Sequence, residues 1–423
     1  MTGGWSAVLD GDGRATVRGL AALPGGGAIA AGAFDGELSA GGRDATAAGG
    51  DDGFAISLSP AGEIGWTVTL GGTAGDELTA AAASARGEVA VAGFADGAAT
   101  LAGAPLTADG HPAALVARLD PATGKPAWIR SIGSSGYAIA TALAWAGSDL
   151  VVAGYFGGTL DPGGAALNGA GALDLFVARV AGADGRLLWI HRGGGPGTDA
   201  AQVIAVADDG AILVAGSFTR WADLSSTHLS ALDEDGDPFV ARVGEGGFEW
   251  ARSFSSEGTA VARGVAPLAG GGIALAIEFD GHLAAGFERT EAAGATDVCV
   301  VALQPGGTVG WIRRIGGPAA DSAAGLWRDG DRLLLAGSFA DALGTLRSEG
   351  GRDAWAMALG ARGAPVWQER LGGAGDEVVA AGAAGGGRLL FGGSLAEHYQ
   401  LVGAAGEASG ESDGFATSIM LPR

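Results

Sequence analysis

Cysteine is almost absent from this chain of 423 residues: Cys299 stands alone, which excludes an intrachain disulfide framework. Lysine is equally scarce, with Lys125 the single example, so nearly every cation is an arginine. Together the 25 basic residues face 47 acidic ones, for a net charge of −22. That balance disfavours nucleic acid and anionic membranes as partners, since both are held by basic patches. No run of about 18 apolar residues occurs, so no spanning helix and no membrane insertion is expected. The start, MTGGWSAVLD, lacks the basic and apolar regions of a signal peptide. Catalytic signatures are missing as well. The histidines His111, His191, His228, His282 and His398 show no zinc-ligand spacing. No glycine-rich stretch reads as a phosphate loop.

What the chain does have is a clock. Trp5, Trp66, Trp128, Trp189, Trp250, Trp311 and Trp367 recur at gaps of 61, 62, 61, 61, 61 and 56 residues. Self-similarity at such a period marks a repeat architecture and overrides the two or three domains that length alone suggests. Glycine is abundant at 82 residues, but the glycines sit at set places between apolar runs in register, which argues against disorder.

Each unit contains four short apolar stretches bounded by Gly, Asp or Pro, as in 78–84, 88–94, 114–120 and 127–133. None is long enough for a typical helix, so they predict strands. The second stretch ends on Phe34, Phe94, Phe156, Phe218, Phe279, Phe339 or Leu395. The third carries Asp two positions before a large apolar residue: Asp52/Phe54, Asp174/Phe176, Asp237/Phe239, Asp297/Cys299, Asp353/Trp355 and Asp413/Phe415, with Ala113 and Leu115 in the departing second unit. Variable text joins the second and third stretches and reads as loop, with a deletion in unit six accounting for the short 56-residue gap.

Four strands per unit, seven times over, predict an all-β fold: a seven-bladed β-propeller of four-stranded antiparallel blades. The blades are expected at about 13–70, 75–133, 137–193, 198–254, 258–315, 320–371 and 375–421, in one domain. The last unit lacks a Trp strand and the chain opens with an orphan one, so residues 1–9 are expected to complete the last blade and close the ring. An open solenoid is the rival. Alanine-rich first strands suit the crowded axis, and Phe and Trp the wider outer part, with the repeated tryptophans buried between blades.

The fragments DGFAISLSPAGEIGWTVTLGGTAGDE, DLFVARVAGADGRLLWIHRGGGPGTDA and RDAWAMALGARGAPVWQERLGGAGDE resemble the bacterial beta-propeller repeat called SBBP. The resemblance implies a seven-bladed propeller, common in exported or surface-associated bacterial proteins, and carries no catalytic set. ARLDPATGKPAW also resembles the tryptophan docking motif of quinoprotein dehydrogenases, where it is structural.

Three sets of residues are candidates for a site. Asp76, Asp199, Asp321 and Asp376 follow Gly-rich turns at the entry to first strands. Gathered on one rim they would suit Ca²⁺; otherwise each accepts backbone N–H groups in its own turn. The recurring third-strand Asp suits a turn cap. The run Asp233, Glu234, Asp235, Asp237 resembles a cation loop without EF-hand spacing, and reads as solvated. Trp221, Phe287 and Tyr399 lie in the variable text, where exposed aromatics mark a binding surface or cover a blade edge. The expected function is therefore a non-catalytic, monomeric binding or scaffold module with a protein or glycan ligand and no cofactor. A glycan-binding propeller, or a lyase or quinoprotein-like enzyme over the central channel, is the alternative.

Overall fold

A computed structural model describes residues 4–107 and 111–422, so residues 1–3 of the expected closing segment 1–9 lie outside it. Among the described residues there is no α-helix, only a 3₁₀ turn at Ala269–Gly271. Everything else is antiparallel strand and turn.

The repeating element is a four-stranded meander. In the third unit Tyr137–Ala146, Asp149–Gly157, Asp174–Ala181 and Leu187–Gly193 pair in that order. The same order holds for Asp199–Val206, Ile212–Phe218, Asp237–Gly244 and Gly247–Ser253 in the fourth. Burial follows position in the sheet. Second strands such as Ala28–Phe34 are buried along their whole length, because a sheet covers them on both faces. First strands such as Glu77–Ala83 alternate, and fourth strands are half-exposed. First strands also pack side by side, Glu77–Ala83 on Tyr137–Ala146 and Tyr137–Ala146 on Asp199–Val206. The arrangement is that of a β-propeller.

The core lies between consecutive sheets, and its large side chains are phenylalanines. Phe34, Phe54, Phe156, Phe176, Phe218, Phe239, Phe279, Phe339 and Phe415 are fully buried, with Trp355 taking the Phe place in unit six. This corrects the expectation for the clock tryptophans. Trp5 and Trp66 are buried, but Trp128, Trp189, Trp250, Trp311 and Trp367 are only half-buried. They stand on the outermost strand, whose far side faces water. Their role is to join units: Trp66, Trp128 and Trp311 donate Nε1–H to Pro121 O, Gly182 O and Ala361 O, at 2.9, 2.9 and 3.1 Å, in the next unit's turn. Gly124, Gly185 and Gly363, at positive φ, lie flat on those indoles; a Cβ there would meet the ring at 2.5, 2.7 and 2.6 Å.

The variable segments are not loops but β-hairpins. Ala98–Leu101 and Ala104–Thr107 form one, and the first of these strands pairs with Ile64–Gly72, the outer strand of the preceding unit. Glu37–Ala40 and Thr159–Asp161 attach in the same way to Trp5–Gly11 and Pro126–Ser134. This cross-unit pairing is why hydrogen bonds divide the strands into ten sheets and join some hairpins to a neighbour. In unit six the deletion removes the connecting residues, so strands Arg332–Leu343 and Leu346–Leu359 run straight on into a tight turn.

At the chain start, Trp5–Gly11 pairs with Asp413–Met420, with Trp5 opposite Ser418 and Leu9 opposite Gly414.

Candidate functional site

The sequence-marked carboxylates are not gathered into one metal-binding cluster among the described residues. Asp76, Asp199 and Asp321 are fully buried, each in a different joint between units, where its carboxylate accepts backbone N–H groups. Asp199 Oδ2 accepts from Gly195 N and Asp321 Oδ2 from Gly317 N, both at 2.7 Å; Asp76 Oδ1 accepts from Asp96 N at 2.9 Å. In the last unit Glu377 takes this place, accepting from Gly373 N at 3.1 Å. Asp376 is exposed and caps Arg352 N at 2.7 Å. The longer glutamate reaches the same turn from one residue further on, which spacing from the Gly pair does not reveal. Among the described residues no group of three or more His, Cys, Asp or Glu side chains lies close enough to hold a metal ion.

The third-strand aspartates cap turns. Asp174 Oδ2 accepts from Ala170 N at 2.7 Å, and Asp297, Asp353 and Asp413 accept from the residue four back at 2.9, 3.1 and 2.9 Å. Each joint with a buried first-strand acid thus holds a pair, Asp52/Asp76, Asp174/Asp199, Asp297/Asp321 and Asp353/Glu377. Three pairs are countered by an outer-strand arginine: Arg192 to Asp174 at 2.8 Å, Arg314 to Asp297 at 2.5 Å and Arg370 to Asp353 at 2.6 Å. The first is not, because Thr69 stands opposite Phe54 where Arg192 stands opposite Phe176.

Burial pushes Asp76 up to about 6 and Asp199, Asp321 and Glu377 up to about 7; the neighbouring carboxylate adds to the rise and turn N–H groups oppose it. These groups hold their protons longer when folded than when unfolded. Stability therefore falls as pH rises from the ordinary carboxylate range through 6 to 7, and is level above that. The melting temperature is expected to rise by several degrees between pH 8 and pH 5.5. In the variant Asp199→Asn/Asp321→Asn that rise should shrink, with the variant at least as stable as wild type at pH 8. An unaltered pH slope would show that both aspartates stay ionised.

The three aromatics sit on three different hairpins. Phe287, at a hairpin tip, is completely exposed, and Trp221 is exposed and lies 5.5 Å from the His228 ring. Tyr399 is half-buried and packs on the core. The acidic run is largely spent on its own loop: Asp233 Oδ1 accepts from Asp235 N at 2.9 Å, and Asp237 caps Leu232 N and Ser256 N.

One constellation escaped the sequence reading. Each first strand slips register by one residue against its second strand, a β-bulge at the same place in every unit. The skipped residues are Arg18, Thr79, Thr141, Gln202, Arg263, Ala324 and Ala380, and all of them line one central cavity of about 1030 Å³. A bulge re-aims a side chain out of the sheet's alternation. Two threonines bridge units, Thr79 Oγ1 to Ala140 O and Thr141 Oγ1 to Ala201 O, both at 2.6 Å. The arginines are paired, Arg18 with Glu77 at 3.2 Å and Arg263 with Glu278 at 2.9 Å. The signal was present as one extra residue in strands such as ATVRGLAA, where alternation breaks at Arg18.

No family model matches the chain, and no curated protein does. Among solved structures it is similar to BamB from Moraxella catarrhalis (12% identity, 96% of this chain and 85% of that one, TM-score 0.42). It is also similar to a protein of unknown function from Dyadobacter fermentans (11%, 100% of both chains, 0.44). A third is the quinohemoprotein alcohol dehydrogenase from Comamonas testosteroni (11%, 99% and 77%, 0.44). No helix of the described residues is long and apolar enough to cross a membrane.

Proposed function

We propose that the chain is a seven-bladed propeller closed by its own first strand, acting as a non-catalytic binding or scaffold module of an extracytoplasmic bacterial protein. Ring closure is supported by Ala15–Ala22, which packs both on Glu77–Ala83 and on Asp376–Gly385. It is supported again by Trp5–Gly11, the fourth strand of the sheet holding Asp413–Met420. The extracytoplasmic assignment rests on the repeat motifs of the sequence.

One observation carries the functional reading. The acids and tryptophans that recur from unit to unit are engaged in holding units together, whereas the hairpins differ and expose Phe287 and Trp221. A regular frame with unlike, exposed attachments is what a binding module requires. The partner surface is the hairpin rim, with Phe287 and Trp221 as anchors for a protein ligand.

The test is selection of binders from a displayed peptide library and a glycan array against wild type, followed by Phe287→Ser and Trp221→Ser. Selected peptides should bind the variants about ten-fold or more weakly, with thermal stability unchanged. Binders indifferent to both changes would remove the rim assignment. Dye-linked turnover of an alcohol after reconstitution with a quinone cofactor would overturn the non-catalytic reading.

A further inference from the structure

The joint between the fourth and fifth units is built differently from those at Trp66, Trp128 and Trp311. At Gly124, Gly185 and Gly363 the turn sits on the preceding unit's indole, but at the equivalent Gly307 a Cβ would meet nothing nearer than Arg252 Nη1 at 3.8 Å. The turn stands away from Trp250, and a cavity of about 580 Å³ opens there. Trp250, Leu213, Ile273, Leu303 and Pro305 supply apolar wall. The volume falls within the range of roughly 300–1,000 Å³ typical of small-molecule sites, which likewise combine apolar walls with few polar groups. This joint lies at the turn ends of the strands, apart from Trp221 and the hairpin it opens.

Charge selects among ligands. Arg242, on the same wall, is neutralised by Glu249 at 2.7 Å and Asp209 at 3.5 Å, and Asp208 is paired with Arg328 at 2.9 Å. Arg252 donates Nη1–H to Gly307 O and lies 5.8 Å from the Phe254 ring centroid, but has no carboxylate partner among the described residues. In a chain of net charge −22 this leaves a half-buried, uncompensated guanidinium beside an apolar hollow. A guanidinium so placed is best satisfied by a carboxylate, which it binds through charge-assisted hydrogen bonds.

We infer that this cavity is a binding site for a small aromatic carboxylate, its ring among Trp250, Leu213 and Leu303 and its carboxylate on Arg252. The reading is independent of the hairpin-rim proposal, since neither Phe287 nor Trp221 lines the cavity.

Calorimetric titration of the intact chain with 2-naphthoate and with the neutral 2-naphthalenemethanol tests it. The carboxylate should bind about ten-fold or more tightly than the alcohol, the worth of one charge-assisted contact. Arg252→Gln should remove that preference, Arg252→Lys should retain most of it, and Arg130→Gln, at a closed joint, should leave it intact. The wild-type comparison of the two ligands decides even if an Arg252 variant misfolds. Equal affinity for the two ligands, no binding of the carboxylate, or an undiminished preference in Arg252→Gln would overturn the assignment. An equal loss in Arg130→Gln would do the same, because the effect would then be global.

Discussion

A chain starting at Asp12, without the strand Trp5–Gly11, is expected to lose its folded state, eluting as soluble aggregate and melting far below wild type. The strand makes five register pairs with Asp413–Met420, and Thr417 Oγ1 donates to Trp5 O at 3.0 Å. Trp5, Ala7 and Leu9 are buried, and Asp10 and Gly11 carry the first hairpin through Ser39 and Leu38. Deletion therefore uncovers a sheet edge, empties part of the core, and cuts loose a hairpin of the first unit. An exposed flat edge is a template for pairing with another chain. Light scattering and a thermal melt of the truncated protein decide the matter. A monodisperse species with the wild-type melting point would mean the strand adds nothing to the last sheet, and an open array would then replace the proposed closed ring.

Phe176→Ala is expected to lower stability by about 3–5 kcal/mol, the range for truncating a fully buried aromatic. Phe176 is at zero exposure on a third strand, enclosed by residues of its own sheet and the preceding one. Trp128→Ala removes a larger side chain yet should cost less. Its indole is half-exposed, so truncation forfeits the contact with Gly185 and the bond to Gly182 O but opens no sealed cavity. Denaturant midpoints of the two variants set the order. A reversed order would put the tryptophan joints, not the phenylalanine layer, at the centre of the core.

The period, the strand type, the four strands per unit and the turn-capping role of the third-strand aspartates were legible in the sequence. Each depends on neighbours within a few residues: apolar spacing sets the strand, and an Asp four residues beyond a turn N–H caps it. Trp128 was recognisable as a repeat marker for the same reason, but its half-exposure was not, since that depends on which strand ends up outermost. Likewise the Gly pair pointed to Asp376 while the fold uses Glu377, because reach into a joint is a matter of side-chain length and register between units.

Tertiary structure alone decided the rest. Hairpins such as that over 98–107 look like loops because their pairing partner, Ile64–Gly72, belongs to the preceding unit. The bulges that bring Arg18, Gln202 and Arg263 into one cavity add a single residue each, too little to stand out from ordinary variation along the chain. The open joint at Trp250 follows from how the turn at Gly307 is carried relative to the neighbouring sheet. Local sequence determines what each unit is, because strands and caps form from short-range contacts; what lies between units depends on rigid-body packing of whole sheets, which no single stretch encodes.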